Sequence, residues 1–307
     1  MISEVVYKGV VGAEVRSDRY AAVFLPSEGG KLASFVTEDG EVLLQSDFPR
    51  FRKLGKEGDF VSAECAGFDD MFPTIDPCMA EGGNYPDHGE VCRSEFSSET
   101  AGNTLVMRFF SETFGYSFRK AVSVGERGEI VLSYAVENRS GKPLPALWAG
   151  HCLVDAKNGG EILLPFPDGE ETDLVFDLTG RFEKTGRMPL TREMRLFPKE
   201  SGRKKCYKLY FPQKAEEVVV GFRPTGKRAL FLRAENVPYT GIWVNDLYFN
   251  GARCVGLEPC TACYDTPAAA KARGQRAEIA PGETLSFCVS LYTEEGLCGN
   301  SAGGERD

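Results

Sequence analysis

The sequence predicts an all-β fold, a β-sandwich or a β-barrel, on two observations. Segments rich in valine, isoleucine, phenylalanine, tyrosine and leucine recur along almost the whole chain, and these residues favour strands. Turn-forming sequences separate the segments, whereas helical periodicity is nearly absent. Strands joined by turns, with almost no helices between them, are typical of sandwiches and barrels.

The predicted elements follow one another in a simple order. The segment Asn103–Glu137 is predicted as a three-stranded meander with short turns at Phe114-Gly115 and Gly125–Gly128. The best helical candidate, Thr266–Arg273, spans only about two turns. The predicted strands are Tyr20–Leu25, Leu105–Phe110, Ser117–Val124, Glu129–Glu137, Ala146–Asp155, Glu217–Phe222, Ala229–Arg233 and Leu285–Thr293.

Length and composition favour one large domain. The chain has 307 residues, of which 42% are hydrophobic, so it has enough apolar material to offset the entropy of folding and to bury a large core. All-β folds often reach this length undivided, and neither a linker nor an internal repeat is visible in the sequence. We therefore predict one domain over residues 1–294 and a frayed C-terminal tail over residues 295–307, where the sequence becomes small and polar.

Charge and hydropathy exclude several classes of partner. With 36 Lys+Arg and 45 Asp+Glu, the net charge is −9, whereas nucleic acids and anionic membranes attract positively charged proteins. The longest uncharged run near the middle, Leu144–Val154, is far shorter than the roughly 20 apolar residues that span a bilayer. The start of the chain carries Glu4 and lacks the features of a secretory signal. We therefore expect a cytoplasmic protein with reduced cysteines.

The chain has only two histidines, and both lie in segments that could carry chemistry. His88 lies in Tyr85-Pro-Asp-His-Gly-Glu90, which the proline and glycine predict to be a loop or the start of a strand. His151 lies on a predicted strand, whose alternation places it on one face with Leu147 and Ala149. A histidine among apolar neighbours is most often a hydrogen-bonded core residue, so this position alone does not assign a function.

Glu258 is the third candidate. It lies in Cys254-Val-Gly-Leu-Glu-Pro-Cys260, where Pro259 has no backbone N–H and so predicts an edge strand or the end of a strand. Desolvation at such a position can raise the pKa of a carboxyl group into the range of a general base. A surface glutamate at a turn is the alternative interpretation.

Taken together, these residues resemble a known family. His88, His151 and Glu258 occur in the order and approximate spacing of the aldose 1-epimerase (galactose mutarotase-like) family. The resemblance extends from about residue 20 to about residue 293 and includes three further motifs, Gly29–Phe35, Gly67–Ile75 and Ala280–Phe287.

The resemblance implies a β-supersandwich whose concave face binds a sugar, and the interconversion of α and β anomers of an aldose as its activity. It implies Glu258 as the general base, His151 as the general acid and His88 as a hydrogen-bonding partner of the substrate. Asp70 would bind sugar hydroxyls at a place where the best-known members have an arginine. Ring opening needs one base and one acid of near-neutral pKa, and neither a metal nor a cofactor is expected.

Other interpretations remain open. A carbohydrate-binding protein of the same fold would need neither an acid nor a base, so the three retained residues favour an enzyme. A cupin-like metal site could use His88, Glu90 and His151, although the cupin pattern has two histidines one residue apart. Cys260 and Cys263 have the spacing of a metal or redox pair, but they lack the second pair of a zinc ribbon and are predicted to be structural.

Overall fold

The computed structural model of the protein describes residues 1–80, 83–178, 180, 182, 184–200, 204–275 and 278–294. The predicted tail, residues 295–307, lies outside these residues. Within them the chain forms 25 strands, two short α-helices, α1 (Arg192–Arg195) and α2 (Pro267–Lys271), and 3₁₀ turns at Pro26–Glu28 and Val91–Arg93.

The strands occupy most of the described chain. The first eight are β1 (Ile2–Tyr7), β2 (Val10–Arg16), β3 (Ala21–Leu25), β4 (Lys31–Thr37), β5 (Gly40–Glu41), β6 (Phe68–Met71), β7 (Cys78–Ala80) and β8 (Gly83–Tyr85). The next nine are β9 (Ser97–Ala101), β10 (Thr104–Ser111), β11 (Tyr116–Val124), β12 (Ile130–Asn138), β13 (Leu144–Pro145), β14 (Ala149–Asp155), β15 (Gly160–Leu163), β16 (Glu171–Asp177) and β17 (Gly186–Pro189). The last eight are β18 (Leu196–Phe197), β19 (Lys205–Phe211), β20 (Glu217–Pro224), β21 (Leu230–Glu235), β22 (Tyr239–Asp246), β23 (Arg253–Cys260), β24 (Glu278–Ile279) and β25 (Thr284–Thr293).

Most of these strands belong to two large sheets. The first has 12 strands in the order β1-β2-β3-β4-β6-β14-β23-β22-β19-β16-β17, with β5 paired to β4. The second has nine strands in the order β18-β15-β20-β21-β25-β12-β11-β10-β9. Two short antiparallel pairs, β13 with β24 and β7 with β8, lie outside them. The strands β14 and β23, which carry His151 and Glu258, are neighbours in the middle of the first sheet.

The all-β prediction is confirmed, and each strand predicted from the sequence corresponds to a strand of the structure. The meander is formed by β10, β11 and β12, which pair antiparallel in sequence order. The predicted helix Thr266–Arg273 is shortened to α2, whose N-terminus is capped by the Thr266 hydroxyl, which accepts a hydrogen bond from the amide of Ala269. None of the helices within the described residues has the length and apolar character that crossing a membrane requires.

The two sheets enclose a common hydrophobic core. Every second residue of β12 is buried, as the twofold periodicity of a strand with one core-facing side requires. Side chains from the first sheet, such as Phe24 and Phe68, belong to the same cluster as Phe118 and Val289 from the second. Each fully buried side chain of this size contributes about 1.5–3 kcal/mol through removal of apolar surface from water, so this core holds the two sheets face to face.

A second, smaller apolar cluster lies on the other face of the first sheet. It includes Leu147 and Ala149, whereas Trp148 and Cys152 belong to the main core. Alternation along β14 therefore sends successive side chains to opposite sides of the sheet, and His151 falls on the side of the smaller cluster. The face predicted from the sequence for His151 is confirmed, and the candidate site lies on it.

Candidate active site

A row of ionisable side chains crosses this outer face of the first sheet. His151 on β14 lies opposite Asp69 on β6. On the other side of β14, the register with β23, in which Ala149 pairs with Cys260, places Glu258 opposite His151. Directly opposite residues on antiparallel strands share a face and have Cβ atoms about 5 Å apart. The sheet register thus brings together the imidazole and the carboxylate that the sequence singled out.

Pro259 lies inside a central strand, which corrects the expectation that it marks an edge or a strand end. β23 continues to Cys260 and has a neighbour on each side, β14 and β22. Pro259 lies opposite Thr240 of β22, while the pairing with β14 has a gap between Ala149–Cys260 and Cys152–Leu257, where the missing N–H of Pro259 is accommodated. Glu258 is consequently buried, with 2% of its surface exposed, and does not lie at a surface turn.

A loop brings His88 to the same place. Its ring centroid lies 5.2 Å from that of His151. Phe60 stacks on His88 with ring centroids 3.7 Å apart and planes inclined by 4°, and it also approaches His151 to 5.5 Å. The backbone of His88 has a positive φ of 60° and donates a hydrogen bond from its amide to the carbonyl of Ile75 at 2.6 Å. His88, Phe60 and His151 therefore form one ring cluster at the site.

Arg93 fixes the loop that carries His88. Its guanidinium donates hydrogen bonds to the carbonyl oxygens of Asp87 at 2.7 Å and Gly89 at 3.1 Å, on either side of His88. The same group also binds carbonyl oxygens of residues 55, 56 and 58, and thereby ties the His88 loop to the segment that carries Phe60. Because its donors are used on backbone oxygens, Arg93 supports the loop.

The structure does not bring Asp70 to the site, which corrects the expectation that it binds sugar. Asp70 faces the main core and is fully buried, where it accepts hydrogen bonds from Lys120 Nζ at 2.8 Å and Trp148 Nε1 at 3.1 Å. Its neighbour Asp69 faces the histidines instead, because adjacent residues of a strand point to opposite sides. Asp69 forms a buried ion pair with Lys31 at 2.5 Å.

Three residues that the sequence analysis missed, Lys208, Asp265 and Tyr210, complete the row. Lys208 on β19 is buried and lies 2.9 Å from Glu258 Oε2 and 2.6 Å from Asp265 Oδ1. The Tyr210 hydroxyl donates to the same Asp265 oxygen at 2.8 Å. The only sequence signal for Lys208 is a charged residue inside the apolar run of β19, and a solvent-facing strand position explains such a residue equally well.

Glycines make room for the carboxylate of Glu258. Gly241 lies directly opposite Glu258 on β22, and Gly256 lies two residues before it on the same face. A Cβ atom at Gly256 would lie 3.2 Å from Glu258 Oε1 and 3.2 Å from the Cβ of Trp243. The half-buried Trp243 ring stands 5.7 Å from that of His151. The glycines thus leave space between the carboxylate, the indole and the imidazole.

Burial shifts the proton affinities of the pair in opposite directions. It lowers the pKa of His151 well below its usual value, with His88 and Lys208 adding to the effect, so burial favours the neutral imidazole over the imidazolium. Burial raises the pKa of Glu258, and Lys208 opposes that rise. Among the described residues, His151 Nδ1 is buried without a hydrogen-bond partner, whereas Glu258 Oε2 lies 2.9 Å from Lys208 Nζ. A buried polar atom without a partner on the site face leaves a hydrogen-bonding position for a polar ligand.

The cupin-like alternative is not formed in the part of the chain that the structure describes. Glu90 is bound elsewhere, since its carboxylate accepts a hydrogen bond from the Tyr116 hydroxyl at 2.9 Å. No group of three or more His, Cys, Asp or Glu side chains in these residues is arranged to hold a metal ion.

Comparison with known proteins finds similarity in structure. No protein-family model and no curated protein matches the sequence. Among solved structures, the Slr1438 protein from Synechocystis sp. PCC 6803 matches with a TM-score of 0.68 and 13% identity, covering 94% of this chain and 98% of its own. A galactose mutarotase related enzyme from Lactobacillus acidophilus matches with a TM-score of 0.64 and 13% identity, covering 92% and 97%. A galactose mutarotase-like protein from Clostridium acetobutylicum matches with a TM-score of 0.63 and 13% identity, covering 96% and 98%.

These matches define the class of fold. At such low identity they show the fold alone, and that fold is the galactose mutarotase-like β-supersandwich expected from the sequence. The resemblance to this family is therefore confirmed at the level of the fold, over nearly the full length of the chain.

Proposed function

We propose that the protein is an aldose 1-epimerase that interconverts the α and β anomers of an aldose, with Glu258 as general base and His151 as general acid. The observation that carries the proposal is the register that places these two side chains opposite each other on one sheet face, with His88 beside them. The mutarotase names of two structural neighbours support the same class of reaction.

The reaction needs two proton transfers. Glu258 takes the proton from the anomeric hydroxyl while the protonated form of His151 donates its proton to the ring oxygen and becomes neutral. The bond between C1 and the ring oxygen breaks to give the open aldehyde. Rotation about the C1–C2 bond exposes the other face of the carbonyl. The two groups then reverse their roles and reclose the ring, while His88 hydrogen-bonds a sugar oxygen.

The opposite pKa shifts suit a reaction in which the roles reverse. An ordinary carboxylate is a much weaker base than an ordinary imidazole. Burial raises the pKa of Glu258 and lowers that of His151, so both shifts oppose the ordinary difference between the two groups. A more basic carboxylate and a more acidic imidazolium both favour passage of a proton from His151 to Glu258 through the substrate.

A carbohydrate-binding protein of the same fold is the second candidate. The observation that favours it is the ion pair between Glu258 and Lys208, because a carboxylate that is already neutralised by an ammonium group is a weaker base. Such a protein would bind a sugar on the same face without accelerating the exchange of its anomers.

Polarimetry separates the two candidates. Freshly dissolved α-D-glucose and α-D-galactose are followed in dilute buffer with wild type, His151→Asn, Glu258→Gln and, as a matched control, Glu4→Gln on the exposed edge strand β1. We expect wild type and the control to accelerate mutarotation, and each site substitution to lower the rate by about 10²–10⁴. If calorimetry detects sugar binding but the protein does not accelerate the mutarotation of these sugars, of other aldoses or of hexose 6-phosphates, the protein is instead a binding protein.

A further inference from the structure

We propose that Lys208 is a positioning residue that holds the Glu258 side chain as an anion and fixes its carboxylate beside His151. Only the predicted effect on the pH dependence of the mutarotation rate rests on the proposed function. The ion pair itself can be tested in the protein without any substrate.

The first argument is geometric. Lys208 and Glu258 lie on strands separated by β22, so the lysine must reach across that strand to come within 2.9 Å of the carboxylate. The residue of β22 directly opposite Glu258 is Gly241, where a Cβ atom would lie 3.3 Å from the Cβ of Glu258 and 2.9 Å from the Tyr210 ring. The glycine thus leaves this crowded position free for the lysine and the carboxylate to meet.

The second argument is that Lys208 is itself anchored. Its ammonium group also contacts Asp265 Oδ1 at 2.6 Å. The backbone oxygen of Asp265 accepts hydrogen bonds from the amides of Ile75 at 3.1 Å and Asp76 at 2.8 Å, and the carbonyl of Ile75 in turn binds the amide of His88. The lysine is therefore connected, through Asp265, to the loop that places the second histidine.

The third argument is electrostatic. Lys208 and Glu258 have side chains that are 5% and 2% exposed, so solvent screens their attraction weakly. Burial alone would lower the pKa of Lys208, but Asp265 and Glu258 raise it, which keeps the ammonium group charged. The ionisable groups around Glu258 are Lys208, Asp265, Tyr210, His88, His151 and Cys260. Since burial keeps His151 neutral, Lys208 is the charge that favours an ionised Glu258 most strongly.

Lys208→Met tests the proposal through the pH dependence of mutarotation. Loss of the ammonium group raises the pKa of Glu258, so the acid limb of the rate profile is expected to move to higher pH by about one unit or more, the lower end of the effect of an adjacent opposite charge. Lys208→Arg keeps the positive charge, so the acid limb of its rate profile should lie close to the wild-type pH. Lys53→Met, at a lysine whose side chain is 54% exposed, is the matched control and should leave the limb unchanged.

A second measurement does not depend on activity. In protein labelled with ¹³C at the glutamate carboxyl, the Glu258 signal is assigned by its loss in Glu258→Gln and is titrated in wild type and Lys208→Met. We expect the midpoint to rise in the lysine variant and to return in Lys208→Arg. If the signal titrates at the same pH with and without Lys208, the proposal is overturned, whereas a wild type without mutarotase activity but with the shifted midpoint overturns only the proposed function.

Discussion

Lys120→Met is expected to destabilise the protein strongly without touching the candidate site. Lys120 and Asp70 have no exposed side-chain surface, and Lys120 Nζ lies 2.8 Å from Asp70 Oδ2. The ammonium group also donates to the carbonyl of Gly30 at 3.0 Å and is surrounded by three aromatic rings whose centroids are 5.5–5.6 Å away. Methionine fills a similar volume but leaves the carboxylate of Asp70 buried without a counter-charge.

Removing one member of a buried ion pair typically costs about 3–5 kcal/mol. We expect Lys120→Met to lower the free energy of unfolding by that amount. The measurement is urea denaturation, in which the dependence of the unfolding free energy on urea concentration (the m-value) should be the same in both proteins. The double variant Lys120→Met/Asp70→Asn should recover at least about 2 kcal/mol of this loss, because asparagine removes the charge and keeps an oxygen for Trp148.

Two results would refute this reasoning. One is an unfolding free energy for Lys120→Met within about 1 kcal/mol of wild type. This would mean that the buried Lys120–Asp70 ion pair contributes no more to stability than an exposed ion pair does. The other is a double variant no more stable than the single one. The same logic requires that folded Asp70→Asn keep its mutarotation rate, so a selective loss of activity there would return Asp70 to the sugar-binding set.

Three further predictions concern the loop, a thiol and pH. Arg93→Ala should lower the free energy of unfolding by more than Lys53→Met, because Lys53 itself is exposed and the ion pairs of an exposed lysine are worth at most about 1 kcal/mol each. Arg93→Ala should also weaken sugar binding, measured by calorimetry, because it releases the His88 loop. Equal effects of the two variants would argue against this role of Arg93. Burial raises the pKa of the Cys92 thiol to about 12, so the thiol should not react with iodoacetamide at pH 8 in the native protein. Peptide mapping should find Cys92 labelled only after denaturation. Labelling of Cys92 in the native protein would contradict its burial. Burial raises the pKa of Glu258, so its protonated form is more favourable in the folded than in the unfolded chain. This contribution to stability is present below the ordinary glutamate pKa of about 4.3 and is lost as pH rises through the raised value. Glu258→Gln should therefore flatten the fall in stability as pH rises above about 4, and an unchanged slope would exclude this contribution.

Local sequence patterns predicted much of the fold because the alternation of residues along a strand directly reflects which side chains are buried. The alternation in β12 and the turns around the meander sufficed to place β10, β11 and β12. Strands with polar residues on the site face were missed, because β19 contains Lys208 and β22 contains Gly241 in place of a regular apolar alternation. The regular alternation is therefore interrupted in the strands that form the candidate site.

The site was predictable in part. His151 and Glu258 were found through their resemblance to a family, and the register that brings them together depends on pairing between distant segments. Lys208 was missed because the sequence around a lysine in a strand does not show whether its side chain forms a buried ion pair or is solvated. Asp70 was assigned wrongly, since in Asp69-Asp70 only the parity of the strand decides which carboxylate faces the histidines.

The alternation along β14 has a consequence for how this protein can change over time. Trp148, which directly precedes β14, faces the core, and His151 faces the site, because the two are three positions apart in the chain. Deletion or insertion of a single residue between them would place both side chains on the same face, either burying the imidazole in the sandwich or exposing the indole. Divergence at this segment is therefore restricted to substitutions, because its length decides which side chains are buried.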